Sequence, residues 1–146
     1  MNKANHLSVR DAQNCVLQHV ATLNSEIVNL EHSLGRVLAE EIRANRDQPP
    51  FDVSAMDGFA LRSADLASTP STLTIVEDIK AGDRPARTVL AGQCSRIMTG
   101  APVPVGADAV IRVEDTQMLA NGRVEICHPV KPGNDIRLLG EAMRNG

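Results

Sequence analysis

The chain has 146 residues, of which 42% are hydrophobic and 23% charged, which is typical of a globular protein and argues against a disordered one. Only two residues are Phe, Tyr or Trp, so a single-stranded nucleic-acid site built on stacked aromatic rings is not expected. The net charge of −3 also excludes an overall basic field that would attract a polyanion.

The first predicted element is an amphipathic helix. Ser8 is a suitable N-cap, with Asp11 three residues later, and hydrophobic residues then recur at helical spacing as far as Leu23. We therefore predict a helix over residues 9–23.

The segment that follows carries weaker signals. Polar and apolar residues alternate over residues 26–30, which predicts a short strand, and residues 34–40 are predicted to form a short helix. The Pro49-Pro50 pair then ends regular structure, because prolines lack a backbone donor and force extended backbone.

After the prolines the pattern becomes β-rich. Strands are predicted at residues 59–61, 72–79, 94–98 and 109–113, with a helical turn at 63–67. In the strand at 72–79, Leu73, Ile75 and Ile79 are expected on one face. Asn121-Gly122, between residues 116–119 and 123–127, predicts a hairpin. The fold class is therefore α+β, a mostly antiparallel barrel-like or sandwich-like β domain preceded by a helix.

The three cysteines and the chain's N-terminus bear on its compartment. Cys15, Cys94 and Cys127 are odd in number and widely separated, so we expect reduced, inert thiols and neither a disulfide framework nor a zinc site. Residues 1–6 are polar and unlike a signal peptide, and no run approaches the ~18 apolar residues of a membrane span. We expect a cytoplasmic protein.

The first loop with a candidate chemical role contains Asp57. Its carboxylate, at the start of a predicted strand, is suited to a hard cation such as Mg²⁺, which proteins commonly hold by one or two carboxylates. The alternative is a simple Asp-Gly turn in which Ser54 and Asp57 resemble a capping box.

Two further loops carry residues suited to an anion. Thr99 and Gly100 follow an apolar strand and would present a hydroxyl and backbone N–H groups to an oxyanion. Asn134 and Arg137 are suited to an anionic ligand, Arg through its planar fork of donors. The alternatives are a rigid connection between strands for the first loop and a solvated turn for the second.

These loops together resemble one known family. The stretch from Pro49 to Ala60 resembles the signature P-x-F-x-x-S-A-M-D-G-[YF]-A of the molybdopterin molybdenumtransferases, the MoeA and gephyrin E-domain family. Further matches to that family follow in order along almost the whole chain: residues 34–40, 91–104, 106–110, Glu114 and 133–137.

The resemblance implies a domain plan and a reaction. Residues 1–25 would belong to an elongated domain I that is incomplete here, residues 26–138 would form the β-rich, substrate-facing domain II, and residues 139–146 would begin the return to domain I. Members insert molybdate into adenylylated molybdopterin with release of AMP, using Mg²⁺. Asp57 would then be catalytic and a metal ligand, and Thr99 catalytic in the same cleft. We assign substrate binding to Ser54, Gly100, Asn134 and Arg137.

Two departures from the family pattern affect this expectation. The family commonly has Gly-Glu-Asp where this chain has Gly140-Glu141-Ala142, so one carboxylate is missing. The family's MogA-like nucleotide-binding domain is also absent from this sequence. We therefore expect the chain alone not to insert molybdenum.

The expected partners follow from that incompleteness. They are a second copy of the chain or a full-length relative, with no nucleic acid and no membrane. The N-terminal helix, without the rest of domain I, would fold back onto the β domain, pair with a neighbouring chain or be mobile. The alternative function is a non-catalytic, truncated paralogue that binds molybdopterin or partner proteins.

Overall fold

The computed structural model describes residues 7–146, so the polar N-terminus predicted at residues 1–6 lies outside the described residues. The chain divides into two compact units, Met1–Ile42 and Arg43–Gly146, which we call unit 1 and unit 2.

Unit 1 contains the predicted amphipathic helix in a shorter form. Helix α1 spans Val9–Gln18, and the Ser8 hydroxyl oxygen caps it by accepting the backbone N–H of Asp11 at 3.1 Å. The predicted extension to residue 23 is wrong. No residue of α1 is buried, and a short helix without a packed face is marginal in water, so further turns would gain no stabilising burial from the described residues.

The rest of unit 1 departs from the sequence prediction. The strand predicted at 26–30 and the helix predicted at 34–40 are both wrong, since the only regular element in that stretch is a 3₁₀ turn at Leu30–His32. No described residue of unit 1 pairs in a β ladder, and an isolated strand has no partner for its backbone groups. Gly35, in a left-handed conformation with φ +81°, interrupts the predicted helix.

Unit 2 is built from eight strands. They are β1 Val53–Ser54, β2 Gly58–Leu61, β3 Ser71–Ile79, β4 Gln93–Ile97, β5 Ala109–Arg112, β6 Thr116–Leu119, β7 Arg123–Ile126 and β8 Ile136–Arg137. Six form one sheet in the order β5-β2-β4-β3-β7-β6, in which only β3 and β4 are parallel, and β1 pairs antiparallel with β8. The sheet curls into a half-barrel, which confirms the predicted β-rich fold class.

The local β predictions are largely confirmed. The helical turn predicted at 63–67 is the 3₁₀ turn Ser63–Leu66. The Asn121-Gly122 hairpin joins β6 to β7, with φ of 62° and 68° at these two residues, as a tight reversal of the chain requires.

Both faces of the large sheet are packed, and a bulge in β3 exchanges the faces. Leu73 belongs to the cluster around Phe59, whereas Ile79 belongs to the cluster around Ile97 on the other face. The prediction that Leu73, Ile75 and Ile79 share one face is therefore wrong for Ile79. The register between β3 and β4 shifts between Ile75 and Glu77, and an inserted residue reverses the alternation beyond it.

The last residues of unit 2 return alongside its first residues. Several backbone hydrogen bonds join the two segments, among them those from Gln48 N–H to Met143 O (2.7 Å), from Gly140 N–H to Pro49 O (2.9 Å) and from Gly146 N–H to Ala44 O (3.1 Å). The Asp52 carboxylate also accepts the Leu139 N–H at 2.8 Å. These contacts close one side of the site described below.

Candidate functional site

Asp57 and Thr99, predicted as catalytic residues from two separate loops, are brought together by the pairing of β2 with β4. Gly58 at the start of β2 pairs with Ile97 at the end of β4, so the residue before one strand lies beside the loop after the other. One oxygen of the Asp57 carboxylate accepts hydrogen bonds from both the backbone N–H and the hydroxyl of Thr99, each at 2.7 Å.

This arrangement favours the ionised form of Asp57, whose side chain is exposed. The hydroxyl of Thr99 lowers the pKa of the Asp57 carboxyl most, followed by the Thr99 N–H, and the charge of Arg96 contributes in the same direction. In the described part of the chain, the second carboxylate oxygen accepts no hydrogen bond. A negatively charged oxygen therefore faces solvent beside a hydroxyl.

Close backbone packing fixes the position of Asp57. Gly58 lies directly over the next strand, and a Cβ at this position would be 1.8 Å from the carbonyl oxygen of Ile111. On the same side, the Val113 N–H donates to the Asp57 carbonyl at 3.1 Å. Only glycine fits at residue 58, and this explains the Asp-Gly pair in physical terms.

Ser54 and Gly100 hold the two loops together. Ser54 is buried, and its hydroxyl is engaged with the backbone of Met56 at 2.5 Å. The Gly100 N–H donates to Ser54 O at 2.8 Å, and the Ser54 N–H donates to Ala101 O at 2.9 Å. The backbone N–H groups of Thr99 and Gly100 are thus used within the protein and are not free for an oxyanion.

Asn134 has a similar supporting place. Its side-chain amide donates to Val110 O at 2.8 Å and to the Asp135 carboxylate at 3.1 Å. The same carboxylate pairs with the Arg112 guanidinium at 3.3 Å. The structure therefore puts Asn134 at the junction between β5 and the loop before β8, with its amide donors directed to the protein.

Arg137 and Gly100 meet in a cavity of about 310 Å³ in unit 2. Its lining combines proline and aliphatic or aromatic surface with one guanidinium and one carboxylate: Gln48, Pro49, Pro50, Phe51, Val53, Gly100, Arg137, Glu141 and Ala142. The cavity adjoins the acid–hydroxyl pair through the Thr99-Gly100 peptide. Of the predicted site residues, Asp57, Thr99, Ser54 and Asn134 do not line it.

Seven lining residues were not among the sequence-predicted site residues: Gln48, Pro49, Pro50, Phe51, Val53, Glu141 and Ala142. Glu141 projects from the returning segment, and one of its carboxylate oxygens accepts the Leu138 N–H at 3.0 Å. Pro49 and Phe51 line the same cavity from the opposite segment. Their signal in the sequence is the Pro-Pro-Phe run itself, which predicts a break in regular structure and begins the stretch that resembles the family signature, but does not mark these residues as a site.

Other candidate chemistry is sparse. Among residues 7–146 there is no cluster of three or more His, Cys, Asp or Glu side chains that could hold a metal ion. The three cysteines are free, and only Cys94 is buried, which raises the pKa of its thiol to about 12. None of the helices in this described range has both the length and the apolar character needed to cross a membrane.

Comparison with known families gives a match over nearly the whole chain. Residues 7–146 match the family described as the MoeA N-terminal region (domain I and II). The chain is 42% identical to a molybdopterin molybdenumtransferase of Nostoc sp. (strain PCC 7120) over 139 residues, which cover 90% of this chain. It is 37% identical to a protein of the same name from Staphylococcus epidermidis (strain RP62A), with 100% of this chain covered.

A comparison with solved structures finds the same family. The molybdopterin biosynthesis MoeA protein of Pyrococcus horikoshii OT3 aligns with a TM-score of 0.84 and 34% identity, over 94% of this chain and 37% of that protein. The chain spans only 32% of the Nostoc relative and 36% of the Staphylococcus relative.

Proposed function

The chain belongs to the family of MoeA N-terminal regions, and we propose that it serves molybdenum cofactor biosynthesis as the substrate-facing part of a molybdopterin molybdenumtransferase. In this proposal the reaction is the insertion of molybdate into adenylylated molybdopterin, with hydrolytic release of AMP. The observation that carries the proposal is the Asp57 carboxylate held by both donors of Thr99 at 2.7 Å.

Mg²⁺ suits the donors at this site. Asp57 offers one free carboxylate oxygen beside the Thr99 hydroxyl, and Mg²⁺ is usually held by one or two carboxylates, with water and substrate phosphates completing its coordination. Bound there, Mg²⁺ would neutralise charge on the phosphates of the substrate. The lowered pKa of Asp57 favours this role because the ligand oxygen stays ionised without the metal.

The remaining predicted residues would act around that centre. Arg137 lines the cavity next to the Thr99-Gly100 peptide, and its guanidinium would bind the substrate there. Ser54 and Asn134 would contribute indirectly, since their polar groups hold the two loops in place. Gly100 would let the substrate approach the backbone closely.

We propose that the chain requires a partner for turnover. It matches about a third of its relatives, 32% of the Nostoc protein, and its own acidic centre consists of one carboxylate. In full-length relatives a MogA-like nucleotide-binding domain would complete the cleft, so a full-length relative is the partner that would supply it. A second copy of the chain is the other proposed partner.

One observation favours the alternative of a non-catalytic binding module. Ala142 lines the cavity at the position where the family commonly has Asp. An alanine there keeps the volume for a ligand but removes a charge that catalysis would use. A module that only binds molybdopterin would tolerate this change.

The test is AMP release from adenylylated molybdopterin with Mg²⁺ and molybdate. The chain would be assayed alone and with a Nostoc relative that lacks its own matching N-terminal third. We expect no AMP from the chain alone and release when the two are combined. Asp57→Asn should abolish that release, whereas Asp115→Asn, an exposed matched control, should leave it unchanged.

Three outcomes would contradict parts of this proposal. AMP release by the isolated chain would overturn its inactivity. A stable combined complex with no AMP release would favour the binding module. Equal activity of Asp57→Asn and the unaltered chain would remove Asp57 from the reaction.

A further inference from the structure

The cavity lined by Pro49, Glu141 and Arg137 has the size and chemistry of a small-molecule site. Its volume of about 310 Å³ falls at the lower end of the range of ~300–1,000 Å³ that ligand pockets occupy. It has one carboxylate and one guanidinium in a lining that is otherwise uncharged. A ligand of this cavity should therefore be compact, largely apolar on its faces and polar on its edges.

The apolar part of the lining is suited to a flat ring. Pro49, Pro50 and Phe51 are consecutive, and all three line the cavity. The prolines have rigid backbones, and Phe51 is 45% exposed, so its ring remains accessible to a ligand. Ala142 adds no bulk and no charge. Consecutive rigid and aromatic surface favours a planar heterocycle over a flexible chain.

The polar part is suited to one edge of such a heterocycle. Glu141 accepts the Leu138 N–H with one carboxylate oxygen, which orients the group and leaves further lone pairs available. A carboxylate accepts two parallel N–H donors in a bidentate arrangement. Arg137 supplies donors for a carbonyl oxygen or ring nitrogen of the same molecule.

We propose that this cavity binds the 2-amino-4-oxopyrimidine edge of a pterin ring, with Glu141 as the specificity-determining acceptor of its amino and ring N–H groups. Arg137 then binds the carbonyl side of the ring, and the Pro-Pro-Phe surface packs against its face. This inference rests on the proposed function, because it assigns a place to the pterin head of that substrate. Guanine has the same edge, so the test includes it.

The test is direct binding of 6-hydroxymethylpterin to the whole 146-residue chain, followed by pterin fluorescence. The absence of Trp and Tyr leaves the pterin signal free of protein emission. We expect saturable binding that weakens about tenfold or more in Glu141→Gln, because a charged acceptor of two N–H groups becomes neutral. Glu125→Gln, on β7, is the matched control and should bind as the unaltered chain does.

Ligand analogues and a second variant sharpen the result. Lumazine, which carries an oxygen in place of the 2-amino group, should bind more weakly than the pterin, as should adenosine. Ala142→Leu should weaken binding, because the larger side chain takes up part of the cavity without a change of charge. Guanosine binding as tightly as the pterin would overturn the assignment to a pterin, and so would equal binding of lumazine.

Failure of this proposal is separable from failure of the proposed function. The binding assay contains no adenylylated substrate, metal or molybdate, so it does not depend on turnover. Absence of saturable pterin binding, or an unchanged affinity in Glu141→Gln, would overturn the pterin site, while AMP release in the combined assay would still support the transferase.

Discussion

The two units of the chain use similar hydrophobic residues with opposite results. Leu73 in unit 2 is 1% exposed, whereas Leu34 in unit 1 is 96% exposed. The residues of unit 2 lie on strands whose neighbours supply partners on both faces of the sheet. Described residues of unit 1 form one short helix and a 3₁₀ turn, and none of them pairs in a ladder. Hydrophobic residues alone do not form a core. Their backbone must also be held in paired strands that bring the side chains together.

The largest effect is expected from Gly58→Ala in unit 2. The added Cβ would clash with the Ile111 carbonyl at 1.8 Å, and two paired strands would have to separate, at a cost of about 3 kcal/mol or more. The measurement is denaturant unfolding followed by far-UV circular dichroism. Gly35→Ala in unit 1, where a Cβ meets nothing within 4 Å, should leave the unfolding midpoint of unit 2 unchanged. A midpoint shift as large for Gly35→Ala would contradict the contrast between the units.

A slightly smaller effect is expected from truncation of matched leucines. Leu73→Ala should lower the free energy of unfolding of unit 2 by about 3 kcal/mol, because it leaves a cavity in a packed core. Leu34→Ala should change it by no more than about 0.5 kcal/mol. The same denaturation experiment measures both, and a loss of more than about 1 kcal/mol for Leu34→Ala would show that residue 34 is buried in solution.

Helix α1 should respond locally and more weakly. Ser8→Ala removes the cap on the Asp11 N–H and should cost the helix about 1 kcal/mol. Cα chemical shifts over residues 9–18 should then move toward random coil, while the midpoint of unit 2 stays fixed. Ser25→Ala, beyond the end of the helix, is the control. Unchanged shifts in Ser8→Ala would mean that contacts other than the cap stabilise the helix.

The smallest effect concerns the pKa of Asp57. Thr99→Val removes the hydroxyl donor but keeps the N–H, so the pKa of Asp57 should rise toward its ordinary value of 3.8, as measured from its carboxyl chemical shift. A carboxyl whose pKa is lower in the folded than in the unfolded state stabilises the fold at a pH above its unfolded-state pKa. This stabilisation is lost as the pH falls through the folded-state pKa. The stability advantage over Thr99→Val should therefore be present at neutral pH and vanish in acid. Thr72→Val, on β3, should leave the pKa of Asp57 unchanged.

The sequence predicted what local pattern determines. Asn121-Gly122 specified its hairpin because both residues tolerate a positive φ, and the apolar runs of β2, β4 and β5 were found within a residue of their ends. The side of the sheet that Ile79 faces was not predictable, because the bulge arises from pairing with β4. The prediction of a strand at 26–30 was wrong for a related reason: a strand forms only where a second strand pairs with its backbone groups, and the local pattern does not show whether one is present.

The candidate site divides in the same way. Motifs marked Asp57 and Thr99, yet their hydrogen bond spans 42 positions and depends on the register of β2 against β4. Glu141 was passed over as a site residue because its cavity forms only when residues 138–146 pair with residues 44–52. Residue types therefore indicated the chemistry, and long-range pairing decided which of them meet.

The hydrogen bond from Gly146 to Ala44 has a practical consequence for protein engineering. Because Ala44 and Gly146 are hydrogen-bonded, the two ends of unit 2 lie next to each other. A segment with adjoining ends can be spliced into a surface loop of a host protein without stretching it. Residues 43–146 could therefore be exchanged with the matching segment of a relative as one piece.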